Sequence, residues 1–421
     1  MKKLFLLVLS ISTLAAIGSF AGGQDDGGGT TSTGTTTTGP SGAGGYFEAP
    51  WFAEMVARGD LEPVDQRLPR NPLVVRPGDG YGWAETGTYG SGAVLGSSAD
   101  VANIQGLTTG PLASHRFEVG VILPWAWEDC TGNADNTVWT CRYREGMKWS
   151  DGEDFTVDDT IFWHEHVQRN DEYMTAIGEE DLNVIAKTTT RIEKVNDWTA
   201  RFHLEEANAR FDALIAERSE RQILHHPEHF LAQFHPDFAD ATALANKVSA
   251  GGFDGWTQLF YFTWDRWGSQ NPETPHIIPW VPRDPPPANP TVFTANPYWF
   301  IVDDQNQQLP YLEEHRFFMV SDNEAQKLRL LSGGDTIGNI RTLDALPLAR
   351  DAKARGTIDF GLCILLAGGR LAPPHHLLPA GRHPAQRLGV PRHRLERVHL
   401  AQLVPRPPLV LRAEAERRRL R

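Results

Sequence analysis

Cysteine is scarce in this chain, three residues in 421. None sits in a C-x-x-C pair or at a zinc-ligand spacing from histidine, which argues against a metal centre built on thiolates. Basic residues are in the minority, 40 Lys and Arg against 53 Asp and Glu, for a formal net charge of −13. Nucleic acid is therefore not an expected partner, because phosphate contacts need clustered cations. There is no G-x-S-x-G, no Ser/His/Asp grouping and no glycine loop in a strand-to-helix context, so neither a hydrolase elbow nor a nucleotide cradle is encoded. His225 and His229 are four apart, but Pro227 lies between them, and His164-Glu165-His166 is followed by Gln168 where a zincin needs His. No cofactor or metal is expected.

What is present begins with a leader. Lys2-Lys3, an apolar stretch from Leu4 to Ile17 and Ser19-Phe20-Ala21 have the order of a secretory signal, so residues 1–21 are expected to be a signal peptide. The stretch is too short for a comfortable membrane span. No cysteine follows it, so no lipid anchor is expected and the protein is placed in the periplasm or outside the cytoplasmic membrane. Residues 22–45 are Gly, Thr and Ser with almost nothing apolar, the composition of a flexible tether. Export makes a disulfide admissible. Cys130 and Cys141 flank Gly-Asn-Ala-Asp-Asn, a turn between strand-like runs, and are expected to pair across a hairpin.

The densest information lies between Arg142 and Trp163. Trp139, Cys141 and Tyr143 alternate with Thr140, Arg142 and Arg144, the period of a half-buried strand. Glu145-Gly146 and Ser150-Asp151-Gly152 are turn signals. Thr156, with Asp159 three residues on, reads as the cap of a helix running to about Arg169. Before it, Phe117 to Trp127 reads as a strand into a loop. Arg191–Val195 and Thr199–Leu204 read as strands joined at Asn196-Asp197, and Phe211–Arg218, Pro227–Phe234 and Glu324–Leu331 as helices. Strands interleaved with helices predict an α/β fold.

The segment from Arg144 to Phe162 resembles the signature of the extracytoplasmic solute-binding proteins of ABC transporters, in the peptide/nickel (oligopeptide-binding) family. Arg144, Gly146, Lys148-Trp149-Ser150-Asp151-Gly152, Phe155-Thr156, Asp158-Asp159 and Phe162 match it, while Tyr143 and Asp154 depart from it. Arg67-Leu68-Pro69 with Asn71 to Val75, and Asn296-Pro297-Tyr298-Trp299 with Gln308 to Leu312, resemble further stretches of that family. The resemblance covers about Arg67 to Asp359. It implies a bilobal α/β architecture of the type II periplasmic-binding-protein kind, here incomplete at the carboxyl end, with a partial solute-binding domain over 46–359. It also implies a monomer that captures a peptide or an oligosaccharide and delivers it to ABC permease subunits, without catalysis. In that family the signature is a scaffold, so Asp158 and Asp159 are read as capping residues.

Tyr261, Trp264 and Trp267 lie in an aromatic-rich segment read as a loop beside Gly and Pro, and are the expected ligand-stacking residues. Acidity and 13 Trp leave room for a secreted glycoside hydrolase working through paired carboxylates. Residues 360–421 differ in kind. After Phe360 there are 12 Arg and three Glu but no Lys, Asp, Ser, Thr, Phe, Tyr or Trp. Pro at short intervals predicts no strand or long helix there before about Val410. Arg, Pro, Ala, Gly and Leu are what out-of-frame GC-rich codons yield, and a shifted reading frame is the expected origin of this tail.

Overall fold

A computed structural model describes residues 45–79, 86–97, 115–118, 121–177, 184–218, 223–264, 271–335, 338–339, 345–357, 359–360 and 402–404. The leader, the Gly/Thr/Ser run up to Gly44, Trp267 and most of the Arg-rich tail lie outside these. The chain divides into Met1–Thr38, wholly outside the described residues, and Gly39–Arg421, to which everything below refers.

Strands run in the order β1 (Leu73–Val75), β2 (Gly90–Ser97), β3 (His115–Glu118), β4 (Val121–Pro124), β5 (Trp127–Gly132) and β6 (Val138–Tyr143). Then follow β7 (Thr189–Asn196), β8 (Thr199–Leu204), β9 (Trp280–Asp284), β10 (Thr291–Ala295), β11 (Ile301–Asp303) and β12 (Leu312–Met319). Two four-stranded sheets carry the architecture. One is antiparallel, in the order β5-β6-β8-β7; the other is mixed, in the order β2-β12-β10-β9, with β2 parallel to β12.

In the antiparallel sheet the expected alternation holds. Trp139, Cys141 and Tyr143 are buried and Arg142 is exposed. The inner face stacks Trp127 on Tyr143, with ring centroids 3.4 Å apart, and adds Phe202 and Phe155 edge-on. Burying such rings is the main stabilising term here, about 25 cal/mol per Å² of apolar surface. β7 and β8 turn at Asn196, whose side-chain oxygen accepts from Trp198 N–H. The expected run from Phe117 to Trp127 is instead two antiparallel strands, β3 and β4, with Glu118 opposite Val121, followed by β5.

The mixed sheet has a core of Ala93, Leu95, Phe293 and Phe317. Its parallel pair is joined through the whole intervening chain, so the antiparallel sheet and its helices form an excursion from it. A buried ion pair ties the early segment to the late one. Arg67 Nη2 lies 2.6 Å from Glu48 Oε1 and also donates to Gln308 Oε1, while Arg67 Nε donates to the Pro297 carbonyl. Two of the family-like stretches are thus one structural joint.

Two further expectations change. The aromatic segment is a helix, Trp256–Trp264, rather than a loop; Leu259, Phe260, Thr263 and Trp264 are buried at helical spacing. In the tail, β15 (Gln402–Val404) pairs antiparallel with β13 (Gly338–Asn339) and β14 (Asp359–Phe360). So short a strand needs partners on both sides more than an alternating pattern of its own.

Candidate functional site

The signature segment is a scaffold built from hydrogen bonds. Thr156 caps the helix Val157–Phe162, and Asp159 closes the capping box by accepting from Thr156 N–H. The same buried carboxylate accepts from Trp149 Nε1–H and from the Glu228 N–H at the start of the helix Glu228–Leu231. Burial pushes the Asp159 carboxyl up to about 7, against the pull of these donors. Asp151 meets His229, Oδ2 to Nε2 at 2.8 Å. Desolvation opposes charge on both groups, but the hydrogen bond and mutual charge win, holding Asp151 below and His229 above its ordinary value. Asp158 pairs with Lys194 at the surface. Asp151, Asp158 and Asp159 are thus each engaged within the scaffold. Beyond Phe162 the helix widens to a π-helical stretch, Trp163–Gln168, in which buried His164 faces the Thr189 carbonyl through Nε2.

Trp264 is 4 % exposed and packs with Phe162, Tyr173, Leu231 and Phe260; its indole N–H donates to Tyr173 Oη. Its surroundings are also taken by His226 and Tyr261 rings. This is a packing position. Tyr261 is half-buried at the edge of the same cluster, and Trp267 lies outside the described residues. Cys130 and Cys141 are directly opposed in the β5–β6 ladder and joined as a disulfide.

His166, His235 and Asp237 converge as metal-ligating types do, their ligand atoms within 4.8 Å of one another. Both ring nitrogens of His235 are already engaged, Nε2 with the His166 carbonyl and Nδ1 with Asp237 N–H, and His166 Nδ1 meets Asp237 Oδ2 at 2.9 Å. These internal bonds account for the grouping. His276 is buried, and desolvation drives its imidazole down to about 3, so it is a neutral core residue.

Two places are candidates for holding a solute. The first is the carboxyl end of the parallel pair, where β2 ends at Ser97 and β12 at Met319. Buried Asp335 pairs there with Arg329, and Arg329 lies 4.2 Å over the Phe318 ring. A Cβ on Gly96 would stand 3.0 Å from both Arg329 Cδ and Asp335 Oδ2, so glycine is what lets this pair approach the strand. Burial raises the Asp335 carboxyl, and Arg329 opposes that shift. Ligands of α/β sheets gather at strand carboxyl ends.

The second is a cavity of about 510 Å³ on the antiparallel sheet, lined by Arg70, Asn71, Glu128, Arg142, Glu145, Asn196 and Trp198 among others. Neither place was expected from sequence. The usable signal for the second is Trp198, directly after the Asn196-Asp197 turn.

A family model described as bacterial extracellular solute-binding proteins, family 5 middle, matches residues 121–359. The periplasmic alpha-galactoside-binding protein of Rhizobium meliloti strain 1021 is 27% identical over 344 residues, covering 75% of this chain and 46% of its own length. A probable ABC transporter-binding protein of Deinococcus radiodurans is 26% identical over 263 residues, 60% of this chain and 39% of its own. Among solved structures, the oligopeptide-binding protein OppA superposes with a TM-score of 0.68 at 24% identity, covering 76% of this chain and 50% of that one. A periplasmic binding protein of Agrobacterium fabrum C58 in complex with stachyose superposes with a TM-score of 0.55 at 21% identity, over 77% and 50%. These likenesses show the fold to be that of periplasmic binding proteins of the oligopeptide-binding type. The chain spans about half the length of the relatives it matches.

Proposed function

Because the chain belongs to the bacterial extracellular solute-binding proteins of family 5, we propose that it captures a solute outside the cytoplasmic membrane for import by an ABC transporter. The observation that carries this is the match over residues 121–359, more than half of the chain and including the whole signature segment. No described helix is long and apolar enough to cross a membrane. The proposed partners are permease subunits of the transporter, and the proposed location is the periplasm or its equivalent.

An oligosaccharide is the favoured solute. The relative that covers 75% of this chain carries the name of an alpha-galactoside-binding protein. The peptide reading stands second; the likeness to OppA supports the fold that both solute classes would share. A site at the carboxyl ends of β2 and β12 suits a polyhydroxyl ligand. Arg329 and Asp335 would supply a donor and an acceptor there. The relatives named above are binding proteins, and no observation favours a hydrolase.

A thermal-shift series with the purified chain tests this reading. Anything that binds the native state alone raises the melting temperature by mass action. Stachyose is expected to raise it in a concentration-dependent way; a melting temperature unmoved by both stachyose and mixed oligopeptides would overturn the reading.

A further inference from the structure

We propose that the cavity on the antiparallel sheet is a second ligand site, one that takes a neutral polyhydroxyl molecule such as a sugar unit. It does not rest on the import reading, and none of its lining residues belongs to β2, to β12 or to the Arg329–Asp335 pair.

The volume, about 510 Å³, falls within the range of small-molecule sites. Four separate stretches converge on it: Arg70-Asn71, Glu128, Arg142 to Glu145, and Asn196 to Thr199. The floor is stiff. Tyr143 N–H donates to the Trp198 carbonyl, and the Cys130–Cys141 disulfide lies in the ladder beside the Asp129–Arg142 pair.

Charge decides the ligand class. Arg142 Nε meets Glu128 Oε2 at 3.1 Å and Arg142 Nη2 meets Asp129 Oδ2 at 2.8 Å. Arg70 Nη1 meets Glu145 Oε2 at 3.2 Å, and Asn71 Nδ2 donates to Glu128 Oε1 at 2.8 Å. Each cation lining the cavity therefore already has an anion. A charged ligand has to displace one of these partners, whereas a hydroxyl both donates and accepts and bonds to the lone pairs and N–H groups left over. Trp198 supplies the aromatic surface on which an apolar sugar face packs. Its indole N–H is buried and has no acceptor among the described residues, so its resonance reports the state of this wall.

The test is NMR of the full ¹⁵N-labelled chain, following the Trp198 indole and Arg142 guanidinium signals, with Trp198→Phe used for assignment. Stachyose is expected to shift both signals saturably in the millimolar range, while inorganic phosphate and trialanine leave them in place. Arg142→Ala is expected to weaken the response about tenfold. Arg70→Ala, at an exposed side chain, is expected to do the same without loss of fold. Unmoved signals, a shift caused by phosphate or trialanine instead, or an undiminished shift in the variants would each overturn the proposal. Stachyose that raises the melting temperature while Trp198 stays silent contradicts this site and leaves the import reading standing.

Discussion

A Cβ placed on Gly152 would lie 2.8 Å from the hydroxyl oxygen of Tyr298, and Gly152 itself holds a φ of 94°. The signature turn is thus closed by a residue from the late family-like stretch, through a position where only glycine fits. Gly152→Ala is expected to cost about 1–3 kcal/mol, from left-handed backbone strain together with the clash. Urea denaturation checks this. The cost is expected to fall in a Tyr298→Ala background, where only the backbone part remains.

The Asp151–His229 pair gives a pH signature of defined sign. A raised His229 contributes stability that is present below its ordinary value of 6.5 and lost as pH rises through the folded value. A lowered Asp151 contributes stability that is present above 3.8 and lost as pH falls through its folded value. The pair therefore helps most between those two limits. Both side chains are about a third exposed, so solvent screening keeps the effect small. His229→Ala is expected to lower the melting temperature at about pH 5.5 and to change it much less at about pH 8.5. An equal loss at both would show that the pair is not what His229 contributes.

Trp264 separates packing from binding. Trp264→Ala removes a buried ring and leaves Tyr173 without the indole donor it now receives. A loss of about 3–5 kcal/mol is expected, typical of a buried Trp truncation. Trp264→Phe keeps most of the volume, and is expected to retain ligand affinity while losing part of the stability. An affinity loss in Trp264→Phe at unchanged stability would assign the ring to the ligand instead.

The disulfide closes a short loop, with Cys130 and Cys141 11 positions apart. The loop-closure estimate for that length is about 3 kcal/mol. The double replacement by Ala is expected to lower the denaturation midpoint accordingly, and a reducing agent is expected to do the same to the native chain. Iodoacetamide labelling of the denatured, unreduced protein is expected to spare both residues.

The parts of this fold that were legible in sequence are those in which local chemistry agrees with tertiary packing. The alternation from Trp139 to Tyr143, the Asn196 turn and the Thr156 cap each carry their own instruction. The helix Trp256–Trp264 was hidden because it is apolar over most of its surface and flanked by glycine and proline, so its breakers spoke louder than its period. The carboxyl-end site was hidden for a different reason. Gly96 and Asp335 are far apart in the chain, and neither implies the other until β2 pairs with β12. The cavity beside Trp198 is likewise a product of convergence, since Arg70, Glu128 and Arg142 are ordinary surface charges when read singly.

The central claim is capture without turnover. Isothermal titration calorimetry of the purified chain with stachyose, followed by chromatography of the recovered sugar, tests it most directly. The account predicts a saturable heat and a recovered sugar that is intact. Released monosaccharide, or the absence of any binding heat from stachyose and oligopeptides alike, would contradict it.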